Sequence, residues 1–241
     1  MNLEGKTVLI TGAGRGIGRG LAVAFARAGC AIAATARSES ELTGTAEQVQ
    51  AQGQRALAIP CDVTDAEAVQ AMVEQALEAL GPIDILINNA GYAKFEPIHA
   101  ADPAAWRRTL DVNLTGPFNC IQAVLPSMMA RRSGRIINIS SLAGLKPYPS
   151  QGAYCASKHG LNGLTKVLAM EMREHNIGVH AICPGGLDTK LTQENMPERD
   201  KSDWMTPEDV AHAALYLAGL SPRATTDEIV LRRFDSAPLG G

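Results

Sequence analysis

Tyr154 and Lys158 stand four residues apart in the stretch YCASKHGLNGLTK, with no acidic residue between them. On a helix, positions i and i+4 share a face, so a phenol and an ammonium there can flank one point in space. A carbonyl accepts a hydride only if its oxygen is protonated or firmly hydrogen-bonded as negative charge builds on it. A tyrosine can be that acid. Its ordinary pKa of about 10 is high for proton exchange near neutrality, but a nearby ammonium favours the phenolate and brings it down. Upstream, the run IINISS ends in two hydroxyls, Ser140 and Ser141, and a serine at that point could donate a hydrogen bond to the substrate oxygen. Cys155 lies about 100° round the helix from Tyr154 and reads as a space-filling residue. His159 is given no role.

Such a reaction needs a hydride source, and TGAGRGIG, residues 11–18, has the form of a phosphate-binding turn. It follows an apolar run and opens an amphipathic one, where free N–H groups at a helix N-terminus attract a pyrophosphate. The glycines are Gly12, Gly14, Gly16 and Gly18, with Ile17 among them, a spacing that departs from the usual GxGxxG. A fold that prefers NAD places an acid roughly twenty residues further on to bind the ribose 2′-hydroxyl. Here that place reads Thr35, Ala36, Arg37, with no carboxylate. Arg15 and Arg37 offer two guanidinium groups to a 2′-phosphate instead, which predicts NADP(H) as cofactor.

The elements that must position these groups alternate between short apolar runs and stretches of helical period, the pattern of βαβ units. Strands are expected at KTVLITG, AIAATAR, RALAIPCDV, IDILINNAG, GRIINISS, GVHAICPG and DEIVLRR. The first six are nearly continuous in apolar residues, as strands buried on both faces should be. In IGRGLAVAFARAG the apolar residues Ile17, Leu21, Ala24, Phe25 and Ala28 define one buried helix face. Thr64, with Glu67 three residues on, reads as a capping box for the helix that ends at Gly81. The expectation is a single α/β domain over residues 1–241, doubly wound, with a mainly parallel seven-stranded sheet and helices on both faces. Residues 187–205 form the one long polar insertion and read as a substrate lid.

Composition narrows the classes. A 241-residue chain suffices for one large core, and a net charge of -3 with both signs mixed along the chain argues against nucleic acid as a partner. Five dispersed cysteines without a CxxC pair fit reduced thiols and a cytoplasmic setting, and suggest neither a disulfide framework nor a metal site. The start MNLEGKTVLITG has no signal-peptide form, and no apolar stretch reaches eighteen residues, so export and membrane insertion are not expected.

Together these motifs resemble the short-chain dehydrogenase/reductase family, in its single-domain branch. The resemblance runs from residue 3 to about 218. It rests on Thr11 to Gly18, Asp62-Val63, NNAG at Asn88 to Gly91, Asn113 in DVNLTG, the serine before LAG, Tyr154-x-x-x-Lys158, and Pro184-Gly185 with Thr189 following. The family's catalytic serine lies thirteen residues before its tyrosine, which selects Ser141 over Ser140 (154 - 13 = 141). The resemblance implies that Tyr154 is the general acid/base, that Ser141 orients the carbonyl, and that Lys158 holds the nicotinamide ribose and lowers the tyrosine pKa. Asn113 would position a water linking Lys158 to solvent. Asp62 and Val63 would meet the adenine, Asn89, Ala90 and Gly91 the adenosine ribose, and Pro184, Gly185, Leu187 and Thr189 the carboxamide.

The substrate would be a small carbonyl or alcohol, a 3-oxoacyl thioester or small ketone being the best guess, in a partly apolar pocket with Tyr92, Ala143, Leu145, Leu187 and Leu191 near its mouth. Polyols and steroids, with NAD as cofactor, form one alternative, and a catalytically silent NADP-binding regulator another. Relatives that remodel nucleotide sugars carry a C-terminal substrate domain, for which the sequence after residue 190 looks too short. A homo-oligomer is expected, a tetramer before a dimer, with the stripe Leu161, Leu164, Leu168 and Met172 buried between subunits or in the subunit's own core. The C-terminal stretch departs from the family's glycine-rich ending, since Asp235 is followed by Ser236.

Overall fold

The apolar runs become seven strands in a computed structural model that describes residues 3–221 and 223–237. They are β1 (Thr7–Thr11), β2 (Ala31–Ala36), β3 (Ala56–Pro60), β4 (Ile85–Asn88), β5 (Gly134–Ile139), β6 (Ile177–Pro184) and β7 (Glu228–Leu231). All pairs are parallel, in the order β3-β2-β1-β4-β5-β6-β7. The chain therefore winds outward from β1 in one direction and from β4 in the other, so that the reversal falls between them.

The helices are α1 (Gly16–Arg27), α2 (Glu39–Gln50), α3 (Ala66–Leu80), α4 (Pro103–Leu110), α5 (Gly116–Arg131), α6 (Gly152–Met172), α7 (Lys190–Asn195) and α8 (Pro207–Ala218). Strand side chains alternate between two cores. Val8, Ile10, Ile32, Ile85 and Ile87 join Leu21 and Phe25 of α1 and Val210 and Leu217 of α8 on one face. Leu9, Ala33, Leu86 and Ile136 join Val69 and Met72 of α3, Ile121 and Val124 of α5 and Leu168 of α6 on the other. Every strand except the edges is thus apolar at both parities, which is why the sequence reads as unbroken hydrophobic runs.

Several local expectations change. The cap of α3 is Asp65, whose Oδ1 accepts from the N–H groups of Glu67 and Ala68 at 3.0 Å each; Thr64 instead donates to Asp62. A carboxylate one residue later satisfies two orphan donors, where a threonine hydroxyl usually satisfies one. The 187–205 insertion is not structureless, because α7 lies within it and Leu187 bridges to Met205. In the stripe on α6, Leu161, Leu168 and Met172 are buried within the subunit, and Leu164 packs against the same core. Among the described residues no helix is long and apolar enough to cross a membrane.

Candidate active site

Where the strand order reverses, the carboxyl ends of β1 and β4 diverge, and a cleft of about 450 Å³ opens over them. Its floor is backbone. Gly12 has φ +63, and a Cβ there would sit 2.8 Å from Ala90 Cα, so only glycine admits the close approach of the loop to the end of β4. Gly18 is buried beneath the loop, and a Cβ on it would lie 2.1 Å from the Gly12 carbonyl oxygen. Asn89 straps the two strand ends together, its Nδ2 donating to the carbonyls of Thr11 (2.9 Å) and Gly12 (3.1 Å). Helix α1 then begins with no side-chain cap and no acidic residue in its first turn, unlike α2, α3 and α4, which are capped by Ser38, Asp65 and Asp102. Its first N–H groups remain available to an anion.

Gly12, Gly14, Arg15, Gly16 and Ile17 all line this cleft, as do Arg37, Asp62, Val63, Asn89, Ala90 and Gly91. The cleft also contains a carboxylate not legible at the end of β2. Glu41, from the first turn of α2, lines it and pairs with Arg15 at 3.0 Å. The signal was a residue four positions past Arg37, visible only once the turn into α2 is known. Asp62 stays below the usual carboxylate range: burial opposes this, but hydrogen bonds from Thr64 and the charges of Arg37 and Arg108 outweigh it. Arg108 of α4 is a further cleft residue that sequence reasoning passed over.

The reacting groups lie at the cleft's other end. Ser141 follows β5 and caps a short turn, its Oγ accepting from Ala143 N at 3.1 Å and donating to Pro184 O at 3.4 Å. Tyr154 sits in the first turn of α6, its ring tilted against Phe95 with centroids 5.8 Å apart. Lys158, one turn on, is 4% exposed; its Nζ donates to Ile139 O at 2.8 Å and lies 5.8 Å from the Tyr154 ring centroid. Burial pushes the Tyr154 phenol up, against a hydrogen bond with Ser141, and it pushes Lys158 down to about 8. Burial is the largest influence on both groups, opposite in sign to the lowering of the phenol pKa anticipated from Lys158.

Asn113 does not line the cleft. It lies fully buried in a wide, π-type turn over Asp111–Thr115, between α4 and α5. Its amide accepts from Tyr92 N (2.8 Å) and donates to Tyr92 O (2.9 Å) and to Ser157 Oγ (3.0 Å), so it joins the loop after β4 to the Tyr154–Lys158 helix. Such π-type insertions are frequent at functional sites.

Pro184, Gly185, Leu187, Thr189 and Leu191 complete the cleft, with Tyr92 on its wall under the Arg108 guanidinium at 5.4 Å. A second cavity, of about 760 Å³, adjoins it and shares Ser141, Tyr154, Gly185 and Leu191. Of the residues expected at a substrate pocket, Ala143 and Leu191 line this cavity, Tyr92 and Leu187 line only the first cleft, and Leu145 lines neither. Phe95, Tyr148, Met196 and Trp204 supply walls that the sequence did not suggest.

A parallel, doubly wound sheet with a glycine cradle at its switch point defines a nucleotide-dependent α/β protein. The model of the short chain dehydrogenase family matches residues 6–200, and the chain belongs to that family of oxidoreductases. It is 37% identical over 176 residues to the inactive 2-(S)-hydroxypropyl-CoM dehydrogenase 2 of Xanthobacter autotrophicus, covering 67% of this chain and 76% of that one. Identity is 35% over 178 residues to the 3-oxoacyl-(acyl-carrier-protein) reductase of Thermotoga maritima, covering 70% and 72%. Among solved structures, a metagenomic short-chain oxidoreductase in complex with NADP superposes with TM-score 0.86 at 34% identity, covering 98% of this chain and 100% of that one. An NAD+-bound xylitol dehydrogenase superposes with TM-score 0.87 at 29% identity, covering 95% and 98%.

Proposed function

We propose that the protein is an NADP(H)-dependent carbonyl reductase, reversible as an alcohol dehydrogenase, acting through Ser141, Tyr154 and Lys158. The observation that carries this reading is that Ser141 and Tyr154 border both the glycine-floored cleft and the second cavity, so one hydroxyl pair faces cofactor and substrate sites alike. The first cleft suits a dinucleotide. A pyrophosphate would rest on Gly12 to Ile17 and the uncapped start of α1, adenine by Asp62 and Val63, its ribose by Asn89 to Gly91, and the carboxamide against Pro184 to Thr189. Bound there, the reduced nicotinamide would supply a hydride.

The chain's own groups do the rest. Ser141 donates to the substrate oxygen and fixes the carbonyl, and Tyr154 gives its phenolic proton to that oxygen as negative charge develops there. The alcohol leaves with one hydride and one proton added. Lys158 in its charged form steadies the phenolate until a proton returns from solvent, by way of a water near Asn113. Reduction consumes a proton and oxidation releases one, so oxidation gains as pH rises.

Arg15 and Arg37 support NADP(H) over NAD(H), since both guanidinium groups line the cleft. The solved relatives include one with each cofactor, so the preference rests on this chain's own residues. The relatives' names span a 3-oxoacyl reductase and a hydroxypropyl dehydrogenase, which supports a 3-oxoacyl thioester or small ketone as substrate. Exposed Phe118 on α5, with Val167 and Met170 on α6, supports an assembly through those helices, a tetramer before a dimer. Free cysteines, four of them buried, support a reducing, cytoplasmic setting.

Oxidation of NADPH and NADH against a panel of ketones, aldehydes and 3-oxoacyl thioesters tests this reading. A kcat/KM at least about tenfold higher with NADPH is the expected result; parity or an NADH preference removes the cofactor assignment. A silent NADP-binding regulator is the second reading, favoured by the bond of Lys158 to backbone rather than phenol and by a relative named as inactive. Cofactor binding without turnover of any carbonyl would establish it.

A further inference from the structure

We propose that the second cavity selects substrates bearing a compact anionic group, a carboxylate, phosphate or sulfonate, separate from the reacting carbonyl and held by Lys146 and Arg199 with help from Arg233. This deepens the carbonyl-reductase reading and rests on it. The three cations come from segments distant in sequence: the stretch after β5, the loop after α7 and the stretch after β7, yet all line this cavity. In a chain of net charge -3, that concentration of positive charge at one site needs a reason.

Carboxylates close to the cavity pair with Arg233 or accept from Ser202, and among the described residues none forms an ion pair with Lys146 or Arg199. Asp200 lines the same cavity, but its Oδ1 accepts from Ser202 N at 3.0 Å and its Oδ2 from Ser202 Oγ at 3.1 Å. Asp203 and Asp235 engage Arg233, at 3.5 and 3.4 Å, while its guanidinium lies 5.8 Å from the Trp204 ring centroid. Among the described residues the Arg199 side chain makes no hydrogen bond or ion pair, and Lys146 Nζ faces only the Tyr148 ring, 5.4 Å to its centroid. Some surface cations elsewhere are paired, Lys94 with Glu96, Lys166 with Glu228 and Lys190 with Glu194, whereas Lys146 and Arg199 both border one cavity. Two cations without carboxylate partners, beside an apolar wall of Phe95, Met196 and Trp204, fit an apolar body ending in an anion.

The experiment compares 5-oxohexanoate with its methyl ester as substrates of the NADPH-loaded protein, alongside keto phosphonate and keto sulfonate analogues of the same length, which distinguish the three anions. The acid should exceed the ester in kcat/KM by about tenfold or more, as a charge-assisted hydrogen bond provides. Lys146→Gln and Arg199→Gln should cut the acid-to-ester ratio at least about fivefold, through KM rather than kcat, with Arg199→Lys retaining most of it. Equal use of all anions and the ester, or variants that lower acid and ester alike, overturns the anion site and leaves carbonyl reduction standing. No turnover of either compound, or of any carbonyl in the panel, overturns the reading beneath it. Calorimetric titration of acid and ester into the NADP+-loaded protein then decides the anion site independently, since ester-like affinity for the acids refutes it without any need for turnover.

Discussion

The two cavities that meet at Ser141 and Tyr154 are built by different means. The first is a backbone object: glycines at the ends of β1 and β4, strapped by Asn89, with the open N-terminus of α1 above. The second is a side-chain object, assembled from the turn after β5, the 187–205 insertion and the stretch after β7. A cradle of peptide groups recognises what many dinucleotides share, whereas a wall of side chains from loops can be rewritten without disturbing the sheet. A family can in this way keep one cofactor site and vary its substrates.

The largest expected effect comes from the residue common to both. Tyr154→Phe keeps the ring against Phe95 but removes the acid, and should lower kcat for carbonyl reduction roughly 10³-fold while the melting temperature stays close to wild type. Retained turnover would mean that the meeting of the two cavities is not where the chemistry happens. Next comes a paired comparison. Gly18→Ala forces a Cβ against the Gly12 carbonyl and should destabilise the fold by about 3 kcal/mol and weaken cofactor binding. Leu191→Ala, at a half-buried position of α7, should alter KM for substrate with little change in stability, as read by urea denaturation beside steady-state kinetics. Similar stability losses in both would erase the distinction between backbone-built and side-chain-built cavities.

Lys158 gives a pH-resolved test. Burial holds its folded-state pKa near 8, below the 10.5 of a free lysine, so between those values the unfolded chain binds more protons and stability rises with pH. Lys158→Met removes this dependence. The unfolding free energy of wild type relative to the variant should therefore climb by up to about 3 kcal/mol from pH 7 to 10.5. A flat difference would place the ammonium in a solvated setting. The smallest effect concerns Glu41→Gln, which frees Arg15 and removes a carboxylate from the cleft. Because both partners of that ion pair are partly exposed, the kcat/KM ratio of NADPH to NADH should rise only about fivefold. A fall would show that Glu41 supports the 2′-phosphate site.

The same division governs what could be read in advance. The parallel sheet was legible because strands buried on both faces leave unbroken apolar runs, and the last strand, Glu228–Leu231, was found although it lies at an edge. The α3 cap was misplaced by one residue, since Thr64 and Asp65 both have capping chemistry and only the backbone turn selects between them. The α6 stripe left core and interface open, because helical period shows that a face is buried without saying by what. In the cleft, Gly12 to Ile17 and Arg37 were found because short-range geometry demands those residue types at that spacing. Glu41 and Arg108 were missed because they reach the cleft from helices whose orientation no local pattern encodes.

By itself the sequence determined the strand order of chemistry along the chain: a phosphate turn after the first strand, hydroxyls after the fifth, and a phenol and ammonium one helical turn apart. These are local relations, set by the rise and period of helix and strand. Only the tertiary structure decided that Lys158 is buried against Ile139, that Asn113 joins the loop after β4 to α6, and that Lys146, Arg199 and Arg233 line one cavity. Each of those depends on segments tens of residues apart meeting at the same edge of a twisted sheet, a consequence of packing that no single stretch of the chain contains.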